Sequence, residues 1–220
     1  MNWMKKVAVA LVCLLPLGLQ AAKVDTLQVK SPSMNKSIEV VVVSPDMAAT
    51  EACPVIYLLH GYGGNARTWV GIKPDLPKIA DEKGIFFVCP DGKNTWYWDS
   101  PLNADVRYET FISDELVKYV DSHYKTVADR KGRAITGLSM GGHGAMWNGL
   151  RHSDVFSAAG STSGGVDIRP FPKNWEMSVQ IGEKAKYPEN WEKYTVINLV
   201  PTLRLSLIHI SEPTRRRGIS

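Results

Sequence analysis

Four short runs of apolar residues constrain this chain more than any other feature of its sequence. Residues 38–44 (IEVVVVS), 54–60 (PVIYLLH), 85–89 (IFFVC) and 133–138 (RAITGL) carry apolar side chains at successive positions. Turn residues follow each of them. A strand with water on one side alternates apolar and polar residues, so a run apolar on both faces predicts a strand covered on both sides, as in a parallel sheet. Helical stretches lie between these runs. The clearest places Ile112, Leu116, Val120 and Tyr124 at i+4 spacing and turns Asp114, Glu115, Lys118 and Asp121 the other way. Strands alternating with helices predict an α/β fold: a mostly parallel central sheet, right-handed crossovers and helices on both faces. No internal repeat or low-complexity linker divides residues 23–204, which read as one domain.

The two ends read differently. Lys5 and Lys6 precede an apolar stretch, residues 7–19, and small residues follow at Ala21 and Ala22. That is the layout of a secretory signal peptide over residues 1–22. The stretch is shorter than the roughly 20 apolar residues of a membrane span. Cys13 has little apolar sequence upstream, so cleavage is expected rather than lipidation. The mature protein is therefore expected to be secreted or periplasmic, with no stable membrane anchor. At the other end, residues 205–220 (LSLIHISEPTRRRGIS) follow no pattern of the domain. They resemble translated adapter or vector sequence, the alternative being a short basic tail. The expectation is a non-native tail, with the natural protein continuing beyond about Arg204.

Charge excludes one class of function. The chain has 26 basic and 22 acidic side chains, but Lys5, Lys6, Arg215, Arg216, Arg217 and Glu212 lie at the ends, leaving 21 of each in the body. A nucleic-acid footprint needs a basic surplus on one face, so no nucleic-acid partner is expected. Two cysteines remain outside the leader, Cys53 and Cys89. Cys53 precedes one expected strand and Cys89 lies late in its parallel neighbour. Several residues of ~3.3 Å rise would separate them, and a disulfide needs Cα atoms within about 7 Å. Both are expected as buried free thiols. No H-x-x-H, H-E-x-x-H or Cys/His cluster is present, so neither a metal nor another cofactor is expected.

The segment that carries chemistry is Gly137-Leu138-Ser139-Met140-Gly141-Gly142. G-x-S-x-G alone is common, but here it follows a short apolar strand and opens a helix. That setting holds a serine on a sharp turn with its hydroxyl exposed above the sheet, and the glycines let strand and helix approach. A second motif, His60-Gly61-Tyr62-Gly63-Gly64, follows the 54–60 strand. Ester cleavage builds negative charge on a carbonyl oxygen, which fixed backbone N–H groups stabilise. The amides of Tyr62 and Met140 are the expected donors.

With both motifs in this order, the chain resembles the esterase-D-like group of α/β-hydrolases. That group contains carbohydrate feruloyl and acetyl esterases, S-formylglutathione hydrolases and the antigen 85 mycolyltransferases. The residues that carry the resemblance are YLLHGYGG at 57–64, PDG at 90–92, WYWDSP at 96–101, ADRKGRAITGLSMGGHGA at 128–145 and SGGVDIRPFP at 163–172. The match runs from about Val40 to Leu203. It implies an α/β-hydrolase fold lacking its C-terminal strands, Ser139 as nucleophile, and Tyr62 and Met140 amides as oxyanion hole. It also implies a triad completed in the order serine, acid, histidine, with the last two falling where the tail begins.

Within the chain the formal substitutes are Asp167 and His209, both weak: His209 lies in the adapter-like stretch. His60 is expected to shape its loop, His143 to face away from the site, and His123 and His152 to sit near helix ends. Trp96 and Trp98 flank Tyr97 on a loop after the fourth strand, where they either stack on substrate or pack the loop. Trp175 and Trp191 belong to a segment that could wall the cleft. The expected function is an exported serine esterase working through an acyl-enzyme on acetyl or feruloyl esters of polysaccharides. The polypeptide as it stands is expected to be inactive for want of its acid and histidine. The alternatives are acyl transfer to a sugar hydroxyl, a thioesterase of the S-formylglutathione hydrolase type, and a non-catalytic binding module.

Overall fold

The computed structural model describes residues 22–202. The expected signal peptide, but for Ala22, and the tail with His209 lie outside the described residues. Six strands form one mixed sheet: β1 (Lys23–Ser31), β2 (Lys36–Ser44), β3 (Val55–Leu59), β4 (Phe86–Pro90), β5 (Arg133–Gly137) and β6 (Ala158–Ala159). Their order across the sheet is β1-β2-β4-β3-β5-β6. The β3–β4, β3–β5 and β5–β6 pairs are parallel, with Val55 opposite Phe86 and Leu59 opposite Gly137. After β3 come α1 (Thr68–Ile72) and α2 (Leu76–Lys83). After β4, α3 (Tyr108–Thr110) runs through a π turn (Phe111–Glu115) into α4 (Leu116–His123). After β5 comes α5 (Met140–Arg151); α6 (Met177–Ile181) and α7 (Pro188–Lys193) follow β6.

The runs apolar on both faces did what their pattern demands. Val41, Val43, Leu58, Phe87 and Cys89 pack on one side of the sheet with Leu76 and Ala80 of α2. Their neighbours in sequence, Val40, Val42, Tyr57, Leu59 and Val88, pack on the other side with Leu116 and Val120 of α4 and Trp147 of α5. β2, β3 and β4 thus feed two apolar layers, and helices cover both faces. Fully burying a side chain of this size contributes about 1.5–3 kcal/mol, so the two layers dominate the stability of the domain. The stripe Ile112, Leu116 and Val120 is buried as its spacing predicts.

Two features differ from the sequence reading. The run 38–44 looks like a parallel strand, yet β2 is antiparallel to both β1 and β4. An apolar run reports burial, not strand direction. β1 itself was not expected, because its pattern is that of an edge strand: exposed Thr26, Gln28 and Lys30 alternate with the more buried Leu27, Val29 and Ser31. Charges along such an edge discourage pairing with another chain. Of the charged residues opposite the α4 stripe, Glu115 accepts from the Ser33 backbone at 2.7 Å and Asp121 pairs with Arg133. They fasten the helix rather than solvate it.

Cys53 and Cys89 are free and buried. Val55 and Phe86 are register partners, so Cys53, two residues before the first, and Cys89, three after the second, lie toward opposite ends of the strands. They also belong to opposite apolar layers.

Candidate active site

Ser139 sits between β5 and α5 at φ 54°, ψ −115° and is exposed. A positive φ is costly for a residue with a Cβ and persists only where its surroundings impose it. Those surroundings are visible on both sides. The Ser139 amide donates to the Thr162 carbonyl at 2.9 Å, and the Ser139 carbonyl accepts from His143 N–H at 3.0 Å. The turn is possible because of its glycines. A Cβ on Gly141 would lie 2.2 Å from the Leu59 carbonyl oxygen, and one on Gly137 would lie 2.2 Å from the Gly141 oxygen. The expectation that strand and helix approach too closely for side chains holds.

The glycine loop after β3 lies against this turn: a Cβ on Gly61 would be 3.6 Å from the Ser139 Cβ. Gly61 O accepts from the Gly64 amide at 3.0 Å and lies 2.7 Å from His60 Nδ1. His60 is buried, and its Nε2 accepts from the Gly92 amide at 2.9 Å. An Nε2 that accepts leaves the proton on Nδ1, so His60 is a neutral ring that donates to Gly61 O. The peptide plane joining Gly61 to Tyr62 is thereby fixed, with its N–H turned away from its anchored carbonyl. Neither the Tyr62 nor the Met140 amide has an acceptor among the described residues.

No base reaches the serine from the described residues. His143 is fully buried; it takes the Trp98 indole N–H on Nε2 at 2.9 Å and lies 2.7 Å from Gly165 O through Nδ1. His123 stacks on Tyr119, and His152 holds Glu109 at 2.9 Å. Asp167, the weak acid candidate, spends both carboxylate oxygens on Arg169, each at 2.8 Å. Its pKa is held down mainly by that hydrogen-bonded guanidinium. His209 lies outside the described residues. The structure brings the Ser139 turn and the Gly61–Gly64 loop together and leaves Asp167 engaged elsewhere.

The aromatic cluster resolves in favour of packing. Trp96 and Trp98 are 4% and 0% exposed and stack at 5.5 Å. Tyr97 fills the space that side chains on Gly92 and Gly144 would need and donates to the His60 carbonyl at 3.1 Å. As substrate-stacking candidates Trp96 and Trp98 offer almost no surface. Trp191 is buried as well, whereas Trp175 is 45% exposed. Thr162, whose carbonyl fixes the Ser139 amide, and Asn94, whose Oδ1 accepts from the Gly63 amide at 2.9 Å, carry no sequence signal for these roles. Among the described residues no three His, Cys, Asp or Glu gather as metal ligands, and no helix is long and apolar enough to cross a membrane.

A sheet fed from both faces, with a strained serine at a strand–helix turn and a glycine loop beside it, has the architecture of an α/β-hydrolase. Residues 31–204 match the family described as "Putative esterase", and the chain belongs to that family. An esterase of Mycobacterium tuberculosis is 30% identical over 149 residues, 64% of this chain and 32% of that protein. An acetyl esterase of Caldicellulosiruptor saccharolyticus is 31% identical over 108 residues, 49% of this chain and 40% of that protein. The chain therefore spans less than half the length of these curated relatives. Among solved structures, a ferulic acid esterase superposes with TM-score 0.65 at 28% identity, covering 85% of this chain and 74% of its own. An S-formylglutathione hydrolase from Agrobacterium tumefaciens shares the fold with TM-score 0.70 at 23% identity, covering 83% and 72%.

Proposed function

We propose that this protein is an exported serine carboxylic-ester hydrolase, one domain over residues 23–204, acting on acetyl or feruloyl esters of polysaccharides. The observation that carries the reading is the strained, exposed Ser139 beside the Gly61–Gly64 loop. Ser139 Oγ attacks the ester carbonyl carbon, its proton passes to a base, and the oxyanion accepts hydrogen bonds from the Tyr62 and Met140 amides. The alcohol departs with that proton, and water then cleaves the acyl-enzyme. The ester classes are those in the names of the acetyl esterase and ferulic acid esterase relatives. Export rests on Lys5, Lys6 and the apolar stretch 7–19.

A serine hydroxyl is a weak nucleophile without a hydrogen-bonded base. His60, His143 and His152 are engaged away from Ser139, and His123 lies stacked on Tyr119. With no base at Ser139 among the described residues, slow acylation and little turnover are the expected behaviour of the polypeptide. Loss of a triad member leaves only the roughly 10³–10⁴-fold catalysis of oxyanion hole and binding. The test uses p-nitrophenyl acetate and a feruloyl aryl ester on the parent chain and its Ser139→Ala variant, with and without a sugar acceptor. A slow Ser139-dependent release that sugar does not accelerate supports the hydrolase. Acylated sugar as product indicates acyl transfer. Sustained Ser139-dependent turnover would mean that a base is present, and would return attention to Asp167 and His209.

A further inference from the structure

The segment after β6 folds over the first turn of α5 and is fastened there. His143 Nδ1 lies 2.7 Å from Gly165 O, and a Cβ on Gly164 would clash with the Gly142 backbone. Farther along, the buried Trp96 indole donates to the Trp175 carbonyl at 3.1 Å. Trp175 and Glu176 follow at φ 50° and 53°, two successive non-glycine residues in the left-handed region. Backbone of this kind is costly, and both residues it carries are exposed. Asn94 spans the gap: its Oδ1 accepts from Gly63 N–H at 2.9 Å, and its Nδ2 lies 3.4 Å from the Glu176 carboxylate.

What this anchoring presents is an aromatic rim. Trp175, Phe171 and Tyr62 are 45%, 43% and 38% exposed. The Phe171 and Trp175 rings lie 5.5 Å apart at 57°, two faces of an open corner. Asn94, bonded both to the Gly63 amide beside Tyr62 and to the Glu176 carboxylate, holds Glu176 close to the loop that carries Tyr62, and burial and then that carboxylate raise the Tyr62 phenol. A pyranose has an apolar C–H face and a perimeter of hydroxyls. An aromatic face with an adjacent carboxylate acceptor and an amide matches both at once.

We propose that the rim formed by Tyr62, Phe171, Trp175 and Glu176 is a carbohydrate subsite that binds the neutral sugar bearing the ester. The inference deepens the esterase reading and rests on it for the word "ester"; the sugar binding stands by itself. Tyr62 also contributes the backbone amide assigned to the oxyanion hole, so a sugar held here carries its acyl group next to Ser139. Glu176 sets the charge preference: it accepts from hydroxyls and repels uronates.

The test titrates unesterified xylotetraose and trigalacturonate into the 220-residue chain, following indole N–H resonances by NMR, with thermal melts confirming that each variant folds. Ser139→Ala should bind xylotetraose as the parent does, because binding needs no nucleophile. Trp175→Ala should weaken binding about tenfold or more, and Phe171→Ala by less. Trp175→Phe should recover part of the loss. Trigalacturonate should bind more weakly than xylotetraose, and Glu176→Gln should narrow that gap. Absence of saturable xylotetraose binding, unchanged affinity in Trp175→Ala, or a preference for the uronate would each overturn the proposal. Sugar binding without acylation of Ser139 would keep the subsite and sink the esterase reading instead.

Discussion

The indole N–H of Trp98 donates to Nε2 of His143 at 2.9 Å, inside an aromatic box that leaves the imidazole no exposed surface. Trp96 and Trp98 present their rings to it at 5.2 and 5.1 Å, both near perpendicular. This contact explains why a histidine one helical turn past Ser139 serves structure and not proton transfer. Nε2 is occupied as an acceptor, so the ring is neutral, and it ties the loop after β4 to α5 and to Gly165.

Burial holds His143 down at about 4 against an ordinary 6.5, partly opposed by its bond to Gly165. Between those values the unfolded chain binds a proton that the folded chain refuses. Stability therefore is complete above the unfolded value and falls as pH drops from about 6.5 toward 4, by a total on the order of 3 kcal/mol. Urea denaturation of the parent and of His143→Gln between pH 7 and pH 5 measures this. The parent should lose stability more steeply; equal slopes would remove His143 from the account.

Gly141→Ala should destabilise the domain by about 1–3 kcal/mol or more, because the new methyl has rigid backbone rather than a flexible side chain in its way. The obstacle is the Leu59 carbonyl, 2.2 Å from where the Cβ would be. Denaturant midpoints give the number. A variant as stable as the parent would mean that strand and helix do not meet as described.

Two buried tyrosines should respond to loss of the hydroxyl with opposite signs. The Tyr57 hydroxyl has no partner among the described residues, while Tyr97 donates to the His60 carbonyl at 3.1 Å. An unmet buried polar group costs roughly 1–3 kcal/mol, and a made bond contributes about 1 kcal/mol. Tyr57→Phe should leave stability unchanged or raise it by about 1 kcal/mol, and Tyr97→Phe should lower it by a similar amount. Thermal melts of the pair that shift in the same direction would contradict this.

Glu109 is a buried carboxylate with three partners: Trp147 at 2.8 Å, Arg151 at 2.8 Å and His152 at 2.9 Å. Burial pushes its pKa up, but the three partners outweigh it and the result lies below 4.5. Its stabilising contribution is present above that unfolded value and is lost as pH falls through the lower folded one. Glu109→Ala strands the partners and should cost about 2–4 kcal/mol. A loss under about 0.5 kcal/mol would place the carboxylate in solvent.

The parts of this molecule that the sequence made legible are those with a short physical cause. Residues 137–142 name their own turn, because a serine flanked by glycines between an apolar strand and a helix has few other uses. The apolar runs declared burial on both faces, and the positions of Cys53 and Cys89 followed from neighbouring strands. What stayed hidden depended on partners distant in sequence. The direction of β2 is set by β1 and β4, not by its valines. Trp96 and Trp98 look like a binding surface until His143, Trp147 and Tyr194 close around them. The exposed ring of Trp175 is aimed by two positive φ angles that no residue type announces.

The claim on which the rest depends is that Ser139 is the nucleophile. The direct measurement is peptide mass spectrometry of the 220-residue chain after incubation with p-nitrophenyl acetate, quenched over a time course. One acetyl group should accumulate on the peptide containing Ser139, slowly and ahead of any other serine or lysine, and Ser139→Ala should remove it. Acetylation spread evenly over surface residues, with Ser139 no faster than the exposed Ser122 or Ser157, would contradict a nucleophile at the strand–helix turn.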